Sequence, residues 1–62
     1  MTVKFENGRE LTTDQHTLNF ISLALDYASY TQQAKDIDVA DRMEKMSKEI
    51  YDALNKIGYY NR

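Results

Sequence analysis

No proline occurs in the 62-residue chain, and its only glycines, Gly8 and Gly58, lie near the two ends. The residues that most strongly interrupt a helix are absent from the long middle of the sequence, so a break there must come from side-chain capping. That restriction points to a mainly α-helical fold. Gly8 marks a turn before the helices, and Gly58 marks a stop after them.

The first segment has a different period. Val3 and Phe5 alternate with Thr2 and Lys4, and Asn7-Gly8 is a turn signal, so residues 1–12 are expected as a short β-hairpin or an extended arm. A two-residue loop would put Leu11 on the face opposite Val3 and Phe5. A three-residue loop, Glu6-Asn7-Gly8 with Gly8 in the left-handed region, pairs Val3 with Leu11 and Lys4 with Glu10, and this register is preferred. A lone two-stranded hairpin is marginal in water, so it must lie against the helices or another strand.

Helix 1 is predicted over residues 13–35, beginning at Thr12 or Thr13. Thr12 with Gln15 matches a capping box, and Asp14 suits the positive end of the helix dipole. At 3.6 residues per turn, Gln15, Asn19, Ser22, Asp26, Ser29 and Gln33 align as a narrow polar strip. Leu18, Ile21, Leu25 and Ala28 form one apolar stripe. Phe20, Leu23, Tyr27, Tyr30 and Ala34 form a second on nearly the opposite side. An ordinary surface helix carries one such stripe against its core; this one carries two.

Helix 2, over 37–58, is plainly amphipathic. Val39, Met43, Met46, Ile50, Ala53, Leu54 and Ile57 make its apolar face. The opposite face holds the four-residue pairs Asp41–Lys45, Glu44–Lys48 and Asp52–Lys56, each worth only about 0.2–0.5 kcal/mol. Residues 59–62 are read as a tail. Between the helices, Thr31 to Asp36 is polar, with Asp36 and Asp38 as N-cap candidates. A break there gives matched arms and an antiparallel hairpin. The rival is one continuous helix, which would place Gln32 and Lys35 in its apolar seam.

The composition removes several kinds of function. With no cysteine and one histidine, His16, disulfides and thiolate zinc sites are excluded. A net charge of −2 supplies no basic field for a phosphate backbone, and the cations of helix 2 are interleaved with acids. Apolar runs are far shorter than the roughly 20 residues of a membrane span, and Lys4, Glu6 and Arg9 interrupt any leader-like segment, so a cytoplasmic protein is expected.

The candidate chemistry has plainer explanations. Asp36-Ile37-Asp38-Val39-Ala40-Asp41 opens like a calcium loop, but Ala40 and Asp41 stand where a ligand and a glycine are required; helix capping explains the acids. Ser22, Ser29 and Ser47 have no histidine at a neighbouring turn to activate them. No catalytic, cofactor-binding or metal-binding residues are assigned, and no enzyme activity is expected.

The remaining feature is surplus apolar surface. A chain of this size buries only about 60% of the surface its unfolded form exposes, so a partner subunit is its most accessible source of extra stability. Five tyrosines supply side chains suited to half-core, half-interface positions. The expectation is a single small domain, a two-helix hairpin that dimerises into a four-helix-bundle-like assembly through Phe20, Leu23, Tyr27, Tyr30 and Ala34. Its function would be that of a small non-enzymatic regulator, inhibitor or adaptor docking on a larger, unidentified protein. The alternatives are a DNA-binding regulator using helix 2 and a structural subunit of a larger assembly.

Overall fold

The computed structural model describes residues 1–61. It contains two short strands, β1 (Thr2–Lys4) and β2 (Glu10–Thr12), and two helices, α1 (Gln15–Gln32) and α2 (Ile37–Lys56). The strands pair antiparallel with Thr2 opposite Thr12, Val3 opposite Leu11 and Lys4 opposite Glu10, the register preferred from the sequence. Phe5 closes the ladder by donating its amide to Arg9, and Gly8 at φ 85° turns the chain in a conformation that side chains with a Cβ rarely adopt. The hairpin is therefore ordered and lies on the helices. Val3 and Phe5 are buried with Leu18, Ile50 and Leu54, and Leu11 packs against that cluster.

α1 starts later than the sequence suggests. Thr12 is held in β2, its hydroxyl 2.7 Å from that of Thr2, and the Thr13 amide donates to the Met1 carbonyl. Neither threonine is available as a cap. Asp14 takes the role, its carboxylate accepting the amide and the hydroxyl of Thr17 at 2.8 Å each. The strand pairing, a contact ten residues long in sequence, overrides the local capping box.

The helical hairpin forms, with the break supplied by Asp36. That residue leaves the helical region at φ −148°, ψ 100°, and its carboxylate accepts the amides of Asp38 and Val39. Its own amide donates back to Gln32, so residues 33–35 make a tight turn without glycine. α1 thus ends at Gln32 and α2 at Lys56, earlier than the expected 35 and 58. Beyond α2, Gly58 at φ 78° closes the helix as expected: Tyr59 donates to Leu54 and Gly58 to Asn55, the paired bonds of a Schellman stop.

The seam between the helices corrects two readings. Ser22 and Ser29 of the polar strip do not face solvent; they are buried in the interface with Leu18, and Ser47 is buried opposite. The α2 face is likewise rotated. Ala40 and Ser47 turn inward with Ile50 and Leu54, while Val39 and Ile57 are exposed. The buried positions of α2, Ala40, Ser47, Ile50 and Leu54, are separated by seven, three and four residues and so share one side of the helix, with Met46 and Ala53 packed against the core beside them. Small residues at Ser22, Ser29, Ala40 and Ser47 let the two backbones come close. Of the three charge pairs expected on the outer face of α2, Asp41–Lys45 closes at 3.3 Å; Glu44–Lys48 and Asp52–Lys56 do not form ion pairs.

The tail also differs from expectation. Tyr59 and Tyr60 fold back over the open end of the hairpin instead of trailing from it. Tyr59 packs on the core and shares a 2.8 Å hydrogen bond with His16 Nδ1, and the Tyr60 hydroxyl donates to Asn19 Oδ1 at 2.8 Å. Tyr60 stacks on Tyr51 with ring centroids 4.9 Å apart. Among the described residues, no helix is long and apolar enough to cross a membrane.

Candidate functional site: the outer face of α1

The two apolar stripes of α1 meet different fates. Successive residues of an α-helix are rotated by about 100°, so Tyr27, nine positions after Leu18, points half a turn away from it. Leu18 is fully buried and Tyr27 is 80% exposed. Around Tyr27 lie Phe20, Leu23 and Tyr30, exposed at 71%, 52% and 69%. These four occupy one line along the outer side of α1, with Leu23 at its margin toward α2. Val3, Phe5 and Leu11 pack on the inner core instead of on this line. Ala34, grouped with them from the sequence, is exposed but sits in the turn beyond the end of α1 and is not on the helix.

The tyrosines divide accordingly. Tyr51, Tyr59 and Tyr60 form an aromatic cluster with His16 at the hairpin's open end. Burial, with smaller contributions from Tyr51 and Tyr59, pushes the Tyr60 hydroxyl above the usual tyrosine range. Tyr27 and Tyr30 take no part in that cluster and lie open to solvent. Their apolar rings with polar tips suit a face that is covered part of the time.

A groove of about 390 Å³ runs beside the line, lined by Ser22, Leu23, Asp26, Ser47, Lys48 and Tyr51 among others. Leu23 of α1 and Tyr51 of α2 line this groove from opposite helices. The sequence distance between them, 28 positions, is bridged only when the hairpin closes. A second concavity of about 550 Å³ lies between the β-turn and α2, where Glu6, Arg9, Asp41, Arg42, Lys45 and Glu49 mix both signs of charge.

His16, Asp36 and the three serines weighed from the sequence are each engaged in the fold. The hydroxyls of Ser22 and Ser47 donate to backbone carbonyls across the seam, and that of Ser29 donates to the Asp26 carbonyl at 2.6 Å. His16 is held by Tyr59. Asp36, first of the calcium-like acids, caps α2. Among the described residues, no three His, Cys, Asp or Glu side chains gather as a metal site. Comparison with protein-family models, curated proteins and solved structures finds no match for the chain.

Proposed function

We propose that this protein is a small non-enzymatic interaction module, a regulator, inhibitor or adaptor, whose working surface is the outer face of α1. The observation that carries this reading is the exposure of Phe20, Leu23, Tyr27 and Tyr30 in one continuous line, on a helix whose other side is already filled by α2. Contiguous apolar surface of this kind on a small protein usually marks a site of association. The module self-associates through this face and docks on a larger protein. Because the face points away from α2, pairing of two copies would set the four helices in a flat row with the α1 helices central, a more open arrangement than a square bundle.

The charge pattern favours a protein partner over nucleic acid. Exposed cations of α2 alternate with acids, and Lys45 is paired with Asp41, so the field toward a phosphate backbone largely cancels. The test compares wild type with Tyr27→Ala/Tyr30→Ala in sedimentation at micromolar concentration and in capture of partners from native lysate. Loss of self-association and of capture in the double variant is expected, with the fold retained by circular dichroism. Unchanged behaviour in both assays would show that this face is not the working surface.

A further inference from the structure

We infer that a second copy covers the outer face of α1 in antiparallel register, with Phe20 against the partner's Tyr30 and Leu23 against the partner's Tyr27. The inference rests on the reading of this face as a self-associating surface and specifies its geometry.

Area is sufficient. Taking about 200 Å² for a whole aromatic side chain, the exposed parts of Phe20, Leu23, Tyr27 and Tyr30 present roughly 500 Å². Two such faces remove about 1,000 Å² from water before any flanking residue is counted, the level at which specific interfaces begin.

Spacing favours a helix as the occupant. Phe20, Leu23, Tyr27 and Tyr30 follow steps of three, four and three residues within α1, the seam of a two-helix coil. A parallel pair would stack each residue on its own copy, giving layers of two tyrosines beside a layer of two leucines. The antiparallel pair alternates them: Leu23 meets a tyrosine twice at the centre, and Phe20 meets a tyrosine at each end. Layer volumes are then even, which close packing requires. The two-fold axis falls near Leu25, close to the middle of α1, so the overlap uses helix throughout.

The flanks then have defined neighbours. Asn19 faces the partner's Gln33, the two Ala24 residues meet beside the axis and allow close approach, and the two Asp26 carboxylates face each other on the other side. That like-charge contact makes self-association weaker at low ionic strength than at high, the reverse of an assembly held by ion pairs.

The chain has no cysteine, so a single introduced thiol reports one position. Ala24→Cys should cross-link readily between copies under mild oxidation. Ala34→Cys should not, because antiparallel pairing puts those two positions at opposite ends of the paired helices, each beyond the end of its own α1. Asp26→Asn should tighten the dimer about two- to threefold at low salt and match wild type at high salt. Cross-linking at Ala34→Cys and not at Ala24→Cys, in a sample that sediments as a dimer, would overturn the antiparallel register while leaving the interaction surface standing. A monomer at all concentrations up to about 100 μM, well above the micromolar range of specific contacts, would overturn both the register and the self-association it rests on.

Discussion

Ser22 and Ser47 exchange hydroxyl hydrogen bonds across the helix seam: Ser22 donates to the Ser47 carbonyl at 3.1 Å, and Ser47 donates to the Ser22 carbonyl at 2.8 Å. Each hydroxyl satisfies itself on the other helix's backbone, which requires the two backbones to lie close. The pair does geometric work more than energetic work. Replacing both residues by alanine removes donors together and keeps the small size, so the loss should be at most about 1 kcal/mol. Ser47→Leu forces extra volume into the closest approach and should cost about 1–3 kcal/mol. Urea unfolding of the two variants beside wild type decides the matter. If Ser47→Leu proves as stable as wild type, the seam is not closely packed at that point.

A second prediction concerns acid. The amide and hydroxyl of Thr17 bonded to Asp14 hold its carboxyl below the usual carboxylate range. A folded-state pKa below the unfolded one means that folding favours the charged carboxylate. The contribution is therefore whole above the unfolded value of about 3.9 and is lost as pH falls through the lower folded value. The thermal midpoint of wild type should fall below about pH 4 more steeply than that of Asp14→Ala. Parallel curves for the two proteins across that window would show that Asp14 does not cap α1 in solution.

How much of this was legible beforehand depended on how far apart the interacting residues are. The hairpin register follows from a loop three residues long, a glycine in the left-handed region and one alternating apolar face, all within ten positions. The break at Asp36 follows from a capping side chain and the amides just after it. The second stripe of α1 is visible because helical periodicity alone separates it from the first. What escaped was set by contacts across the chain. Ser22 and Ser29 look like solvent residues until the opposing helix supplies a carbonyl or leaves no room for anything larger. Val39 and Ile57 look like core until Ala40 and Ser47, being small, draw the seam toward themselves. Thr12 looks like a cap until Thr2 claims it for a strand.

The tail makes a third prediction possible. Burial raises the Tyr60 hydroxyl above the usual tyrosine range, and it donates to Asn19. Folding here favours the neutral form, so the contribution is whole below the unfolded value of about 10 and is lost as pH rises through the higher folded value. In a titration followed by tyrosinate absorbance, the difference between wild type and Tyr60→Phe should lie above about pH 10 and move down when urea unfolds the chain. A difference curve that is the same with and without urea would mean that the C-terminal turn does not hold Tyr60 against α1.

The contrast between the two sides of α1 gives the fourth. A chain of 62 residues has a total stability of about 3–9 kcal/mol on ordinary per-residue values. Leu18 is fully buried against Val3, Phe5, Ile50 and Leu54, so Leu18→Ala should cost about 2–5 kcal/mol and bring the chain close to unfolding in dilute solution. Tyr27 is 80% exposed within one copy, so Tyr27→Ala should change stability by no more than about 0.5 kcal/mol in dilute solution. If a second copy covers that residue, the wild type gains stability with concentration by mass action and the variant does not, so the gap between them widens as the sample is concentrated. Thermal melts across a hundredfold range of concentration separate the possibilities. A Tyr27→Ala variant that is as damaged as Leu18→Ala even when dilute would place that side chain inside the monomer's own core and remove the basis for a partner-binding face.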